Sequence, residues 1–196
     1  MAISDRIDLA SKACVLLGAN QINSFDEETT EGLAVRAFYD LVYGACLKHR
    51  NWTFAKRTLR LSQVQEEPTD WGYNFTYRLD MEIAKLISLQ NTSSQYVLAS
   101  RRKIYTDIPN AFAVCLVYPD EALLPEDFKL AFIHLLAASM AVTVTDDSSQ
   151  RERFNLEGAN LMKQAGTNDA VQSGDLTYKT DSLLLGAHSG GFEGGY

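Results

Sequence analysis

Glu66, Glu67 and Asp70 lie close together beside Trp71 and Tyr73. Paired carboxylates next to aromatics are the equipment of glycan hydrolysis, one acting as acid and the other as base or nucleophile. The plainer alternative is a solvated loop around Pro68, because no pattern here sets the separation two such carboxylates need. His188 and Ser189 are adjacent, but a nucleophilic serine also needs a third group and a rigid turn. Their Gly-rich surroundings offer neither. Cys14, Cys46 and Cys115 are odd in number and widely spaced in apolar stretches, which predicts buried free thiols rather than a disulfide framework. His49, His134 and His188 share no short spacing with each other or with a cysteine, so no zinc pattern exists. His134 sits in an apolar run and reads as a hydrogen-bonded core residue. Walker, G-x-G-x-x-G, G-x-S-x-G and H-E-x-x-H sequences do not occur. No catalytic residue, metal or cofactor is expected.

Charge carries more information. The chain of 196 residues has 18 Lys+Arg against 25 Asp+Glu, a net charge of −7. That balance disfavours a general nucleic-acid binder, whose affinity comes from clustered Lys and Arg. Residues 1–40 are acid-rich, with Asp26, Glu27, Glu28 and Glu31 in one short stretch. Residues 48–60 hold Lys48, Arg50, Lys56, Arg57 and Arg60 with no acid, and Arg101, Arg102 and Lys103 form a second basic group. Either these are solvated faces or they are opposite-sign patches that set the register of subunit contact. Hydrophobic residues make up 46% of the chain, which indicates a globular protein. No uninterrupted run approaches the ~18 apolar residues of a membrane span, and the N-terminus lacks the apolar segment of a secretion signal.

The elements that would hold these groups follow from periodicity. Ser4 and Gly18 bound a first helix on which Ile7, Ala10, Cys14 and Leu17 share a face. A second helix starts in the acidic stretch and runs to about Arg50. Leu33, Ala37, Leu41, Gly44 and Leu47 form one stripe on it, and Val35, Phe38, Val42 and Cys46 another. Residues 53–120 alternate in short aromatic and branched stretches and contain three of the four prolines. They predict a small antiparallel β unit, with Ser100-Arg101-Arg102 as a hairpin tip and Trp52 and Phe54 in the core at its junction with the helices. Pro125 in the first turn opens a third helix over 126–143 that is apolar on all sides. It must be central to a bundle or enclosed by a neighbouring subunit. Asp146-Asp147-Ser148 ends it and caps a polar fourth helix over 147–172, whose thin apolar side is Phe154, Leu161 and Met162. Residues 173–196 hold 6 of the 12 glycines, yet carry Leu183, Leu184, Leu185, Phe192 and Tyr196. They read either as a disordered tail or one folded back on its own domain, or as a docking arm whose apolar anchors order on a partner. The fold class is therefore α+β: about four antiparallel helices (1–52 and 121–172), a β unit inserted between helices 2 and 3 (53–120), and a C-terminal arm (173–196).

The order of these pieces resembles the head-to-tail adaptor of short-tailed bacteriophages, the tail tubular protein A family. Five stretches carry the resemblance: LASKACVLLG (9–18) with INSFDE (22–27); LKHRNWTFAKR (47–57); YNFTYRL (73–79); LPEDFKLAFIHLLA (124–137); and the polar helix that follows. The third stands where the family has a Y-x-x-P step, although Leu79-Asp80 lacks the proline. Together they cover about residues 5–172. The resemblance implies a non-enzymatic virion protein, about twelve copies of which form a ring. Such a ring sits beneath the portal in the neck of the virion and extends the channel for double-stranded DNA without reading its sequence. It carries the tail nozzle and contacts no membrane. Under this reading Leu183, Leu184, Leu185, Phe192 and Tyr196 dock on the portal. Lys48, Arg50, Lys56, Arg57 and Arg60 would face Asp26, Glu27, Glu28 and Glu31 of a neighbour. A head-completion or tail-terminator ring of a longer-tailed phage, and a virion glycan hydrolase, are the alternatives.

Overall fold

The computed structural model describes residues 2–64, 72–79, 82–89, 95–99 and 102–172. It is a mixed α+β structure of four helices and two antiparallel sheets. Two helices, α1 (Ala2–Leu16) and α2 (Thr30–His49), precede the strands, and α3 (Glu126–Thr145) and α4 (Ser148–Gln172) follow them. Helix α1 starts before Ser4, so Ser4 is not its cap. Its end is as expected. Gly18 takes φ 71°, and the N–H groups of Gly18 and Ala19 return to the carbonyls of Val15 and Cys14, a Schellman stop that favours glycine.

Helix α3 packs against α1, α2 and α4. By length and composition it is apolar enough to cross a membrane, a property that counting uninterrupted runs did not register. Here Phe128, Ala131, Phe132, Leu136, Ala137, Met140 and Ala141 are buried among the other helices, while Leu130 and Val142 stay exposed. Pro125 stands at the N-cap rather than inside the first turn. Asp146 ends α3 in the left-handed conformation, and the Asp147 carboxylate accepts the Ser149 and Gln150 N–H groups at the start of α4.

The buried face of α2 differs from both expected stripes. Val35, Tyr39, Tyr43, Cys46 and Leu47 are buried, whereas Leu33, Ala37 and Leu41 are exposed. Two tyrosines were the missing members. Tyr43 can be buried because its hydroxyl donates to the Pro119 carbonyl at 2.9 Å. On α4 the buried face is Phe154, Gly158, Met162, Ala165, Gly166 and Asp169, with Leu161 only partly covered.

Among the described residues seven strands lie between Lys56 and Val117: β1 (Lys56–Arg60), β2 (Ser62–Val64), β3 (Phe75–Arg78), β4 (Ile83–Leu89), β5 (Tyr96–Ala99), β6 (Lys103–Thr106) and β7 (Phe112–Val117). One sheet has the order β1-β7-β4 and the other β2-β3-β6-β5. The chain crosses between sheets at the buried Leu61, whose N–H donates to the Ala111 carbonyl at 3.1 Å. The three-stranded sheet has two apolar faces, as period-two alternation requires. Leu116 of β7 and Ala84 of β4 join the helical core, with Trp52 and Ala55. Ala113 and Cys115 of β7 and Leu89 of β4 join Leu61, Tyr77, Leu79 and Ile104 in a second core. The pairing of β4 with β7 is irregular between Ile83 and Lys85 and between Leu86 and Ser88. The expected tip at Ser100-Arg101 lies outside the described residues.

Candidate assembly surfaces

The two predicted charge groups flank helix α2: Glu31 is in its first turn with Asp26, Glu27 and Glu28 before it, and Lys48 is in its last turn with Arg50 and the β1 residues Lys56, Arg57 and Arg60 after it. From Glu31 to Lys48 it spans roughly 25 Å at ~1.5 Å per residue, too far for those two residues to pair within one chain. The acidic end is tightly organised. The Thr29 hydroxyl caps the helix by accepting the Gly32 N–H at 3.1 Å. A Cβ on Gly32 would lie 2.4 Å from the Glu27 carbonyl oxygen, so only glycine permits this approach. Glu27 accepts the N–H groups of Asn23 and Ser24 at 2.7 and 3.2 Å. Glu31 accepts the Asn20 N–H and side-chain amide, both at 3.2 Å. Hydrogen bonds from its own backbone and from Asn20 hold the Glu31 carboxyl below its usual range. Glu27 and Glu31 therefore organise their own loop, while Asp26 and Glu28 are exposed.

The basic end is anchored by Trp52, which is buried. Its indole N–H donates to the Cys46 carbonyl at 3.0 Å, and its ring packs edge-on against Phe128 at 5.1 Å. Phe54 packs on the same Phe128, so both aromatics sit at the junction of helices and strands. Arg57 donates to the Phe54 and Lys56 carbonyls. Arg50 lies over α4 at Gly166. Lys48, Lys56 and Arg60 are exposed and form no ion pair among the described residues. Lys56 and Arg60 belong to β1, an edge strand, where charge also blocks unwanted strand pairing.

One polar constellation was missed. Arg6 of α1 pairs with Asp40 of α2 and lies 3.2 Å from the Glu121 carboxylate. Its guanidinium covers the Tyr39 ring at 4.6 Å and the Phe25 ring at 5.3 Å. Glu121 sits in the short 3-10 turn Glu121–Leu123 and is 8% exposed. Burial raises its carboxyl above the usual range despite Arg6. A cavity of about 610 Å³ opens here, lined also by Tyr43, Glu82 and Tyr118. Arg6 and Glu121 are more than a hundred positions apart, so no local spacing could reveal this constellation. The same holds for Asp169 of α4, which reaches Thr53.

Cys14, Cys46 and Cys115 are buried free thiols, and burial pushes them up to about 11, 12 and 11. His134 is half-buried, with Nδ1 2.9 Å from the Leu130 carbonyl oxygen and the ring edge-on to Phe154. Tyr73 is half-buried, Arg102 is exposed and Lys103 lies on β6. Glu66, Glu67, Asp70, Trp71, Arg101 and His188-Ser189 lie outside the described residues, as do Leu183, Leu184, Leu185, Phe192 and Tyr196. No group of three or more His, Cys, Asp or Glu among the described residues is placed to hold a metal ion. Comparison with known proteins finds no matching family model and no matching curated protein.

Proposed function

We propose that this chain is the subunit of a structural ring, the head-to-tail adaptor of a short-tailed bacteriophage. In this reading a bundle of four helices carries an inserted β unit and a C-terminal arm. About twelve copies close head to tail beneath the portal protein, in the neck of the virion. The ring extends the DNA channel, carries the tail nozzle and performs no catalysis. The observation that carries the reading is the element order among the described residues: two helices, seven strands between Lys56 and Val117, then two helices. That is the order in which the five family-like stretches occur.

Two further features support it. A closed ring needs two different complementary faces on each subunit. Asp26 and Glu28 before α2, and Lys48 in its last turn with Lys56 and Arg60 beyond it, are exposed charges of opposite sign. A net charge of −7 also suits a channel through which DNA must slide, since a basic lumen would retain phosphate. The test is the mass of the complex formed when the purified chain meets the portal ring of the same virus. A defined complex with many copies per portal ring is the expected result. A chain that stays monomeric and unbound overturns the reading, and a ring that joins a longer-tailed phage's tail terminator instead transfers it to that class.

A further inference from the structure

A groove of about 470 Å³ lies between α2, α3 and α4. Phe38, Leu41 and Ala45 line it from α2, Leu135 from α3, and Ala159 and Met162 from α4. The volume is that of a site enclosing a few apolar groups. Leu41, one of these lining residues, is 70% exposed. An exposed leucine beside an apolar groove is stabilised when a further apolar group covers it, because apolar surface leaves water.

The chain itself offers an occupant. Helix α4 ends at Gln172, and residues 173–196 follow. Their one uninterrupted aliphatic run is Leu183, Leu184 and Leu185, set among Gly, Ser, Thr and charged residues. Helix α4 covers roughly 15 Å between Met162 and Gln172 at ~1.5 Å per residue. The following segment to Leu183 reaches up to roughly 36 Å at ~3.3 Å per residue. The leucines can therefore return along α4 to the groove with length to spare. The entropy of closing so short a loop grows only logarithmically with its length, whereas burial of three leucines scales with their full apolar area.

We propose that this groove is the resting dock of the chain's own Leu183–Leu185 segment. Leucines held there are unavailable to any other surface until a partner displaces them. The proposal concerns the isolated chain and stands or falls independently of the portal.

The test uses the full chain with Ser182→Cys bearing a nitroxide. The native thiols are buried and pushed to about 11 or higher, so they react slowly and the label is selective. The methyl signals of Leu41, Leu135 and Met162 are expected to lose more than half their intensity. They are expected to recover when Leu183, Leu184 and Leu185 are changed to Asp. Unchanged intensities overturn the proposal. So does broadening seen only when the labelled chain is mixed with a separate isotope-labelled copy, because the occupant is then a neighbour's arm. An independent readout is tryptic cleavage after Lys179. Leu41→Asp, at a position too exposed to matter for folding, is expected to speed it several-fold, and an unchanged rate overturns the proposal.

Discussion

The Asp169 carboxylate near the end of α4 accepts the Thr53 backbone N–H at 3.1 Å to each oxygen, and the Thr53 hydroxyl donates to it as well. Asp169 is 9% exposed. The last helix is thereby tied to the segment that leads from α2 into β1. Asp169→Ala leaves the Thr53 N–H unpaired in a largely covered place. A loss of about 2 kcal/mol is expected, measured as a lower urea midpoint. Thr53→Ala removes only the hydroxyl and should lose less. The two changes together should cost less than their sum, because they share one interaction.

Two glycines of α4 should respond differently to the same substitution. A Cβ on Gly158 would lie 2.8 Å from the Leu135 side chain and 3.1 Å from its backbone nitrogen, so helix α3 must shift. A Cβ on Gly166 would lie 2.6 Å from the Arg50 guanidinium, the far end of a flexible side chain that can swing away. Both substitutions gain the same helix propensity. Gly158→Ala is therefore expected to be less stable than Gly166→Ala by about 1–3 kcal/mol, read by thermal or urea unfolding.

Glu121 and Glu31 should act on stability in opposite directions with pH. The Glu121 carboxyl is raised by burial above its ordinary 4.5. Just above that pH the folded chain keeps a proton that the unfolded chain releases, so stability falls as pH rises through the window between the two values. Glu121→Gln should remove this fall. The Glu31 carboxyl is lowered below 4.5 by its backbone and Asn20 hydrogen bonds. Its contribution is present above 4.5 and is lost as pH falls through the lower folded value. Glu31→Gln should be less stable than the parent at neutral pH and converge with it at acid pH. Urea unfolding across pH 3–7 checks both.

Ring contact through charge makes a separable prediction. Lys56, Arg57 and Arg60 are all exposed, but the Arg57 guanidinium is engaged with its own backbone neighbours. Lys56→Glu with Arg60→Glu should weaken assembly on the portal more than Arg57→Glu alone. Adding Asp26→Lys and Glu28→Lys should restore it. Sedimentation at low salt, where exposed charges are least screened, is the measurement. Equal assembly by all variants removes these residues from the contact.

The sequence by itself determined the local elements, because their causes are local. Gly18 stops α1, Asp147 caps α4, and period-two aromatic stretches become strands, whatever lies opposite them. The continuous apolar run of α3 likewise required burial on several sides. What only the tertiary structure decided is which faces are inside and which polar groups meet. Leu41 looks as apolar as Leu47, yet one is exposed and the other buried. Tyr39 and Tyr43 could be assigned inward only once Arg6 and the Pro119 carbonyl lay against them. The pairs Arg6–Glu121 and Thr53–Asp169 join residues more than a hundred positions apart. Only packing of α1 beside the 3-10 turn, and of α4 beside Thr53, brings such groups within hydrogen-bond or ion-pair reach.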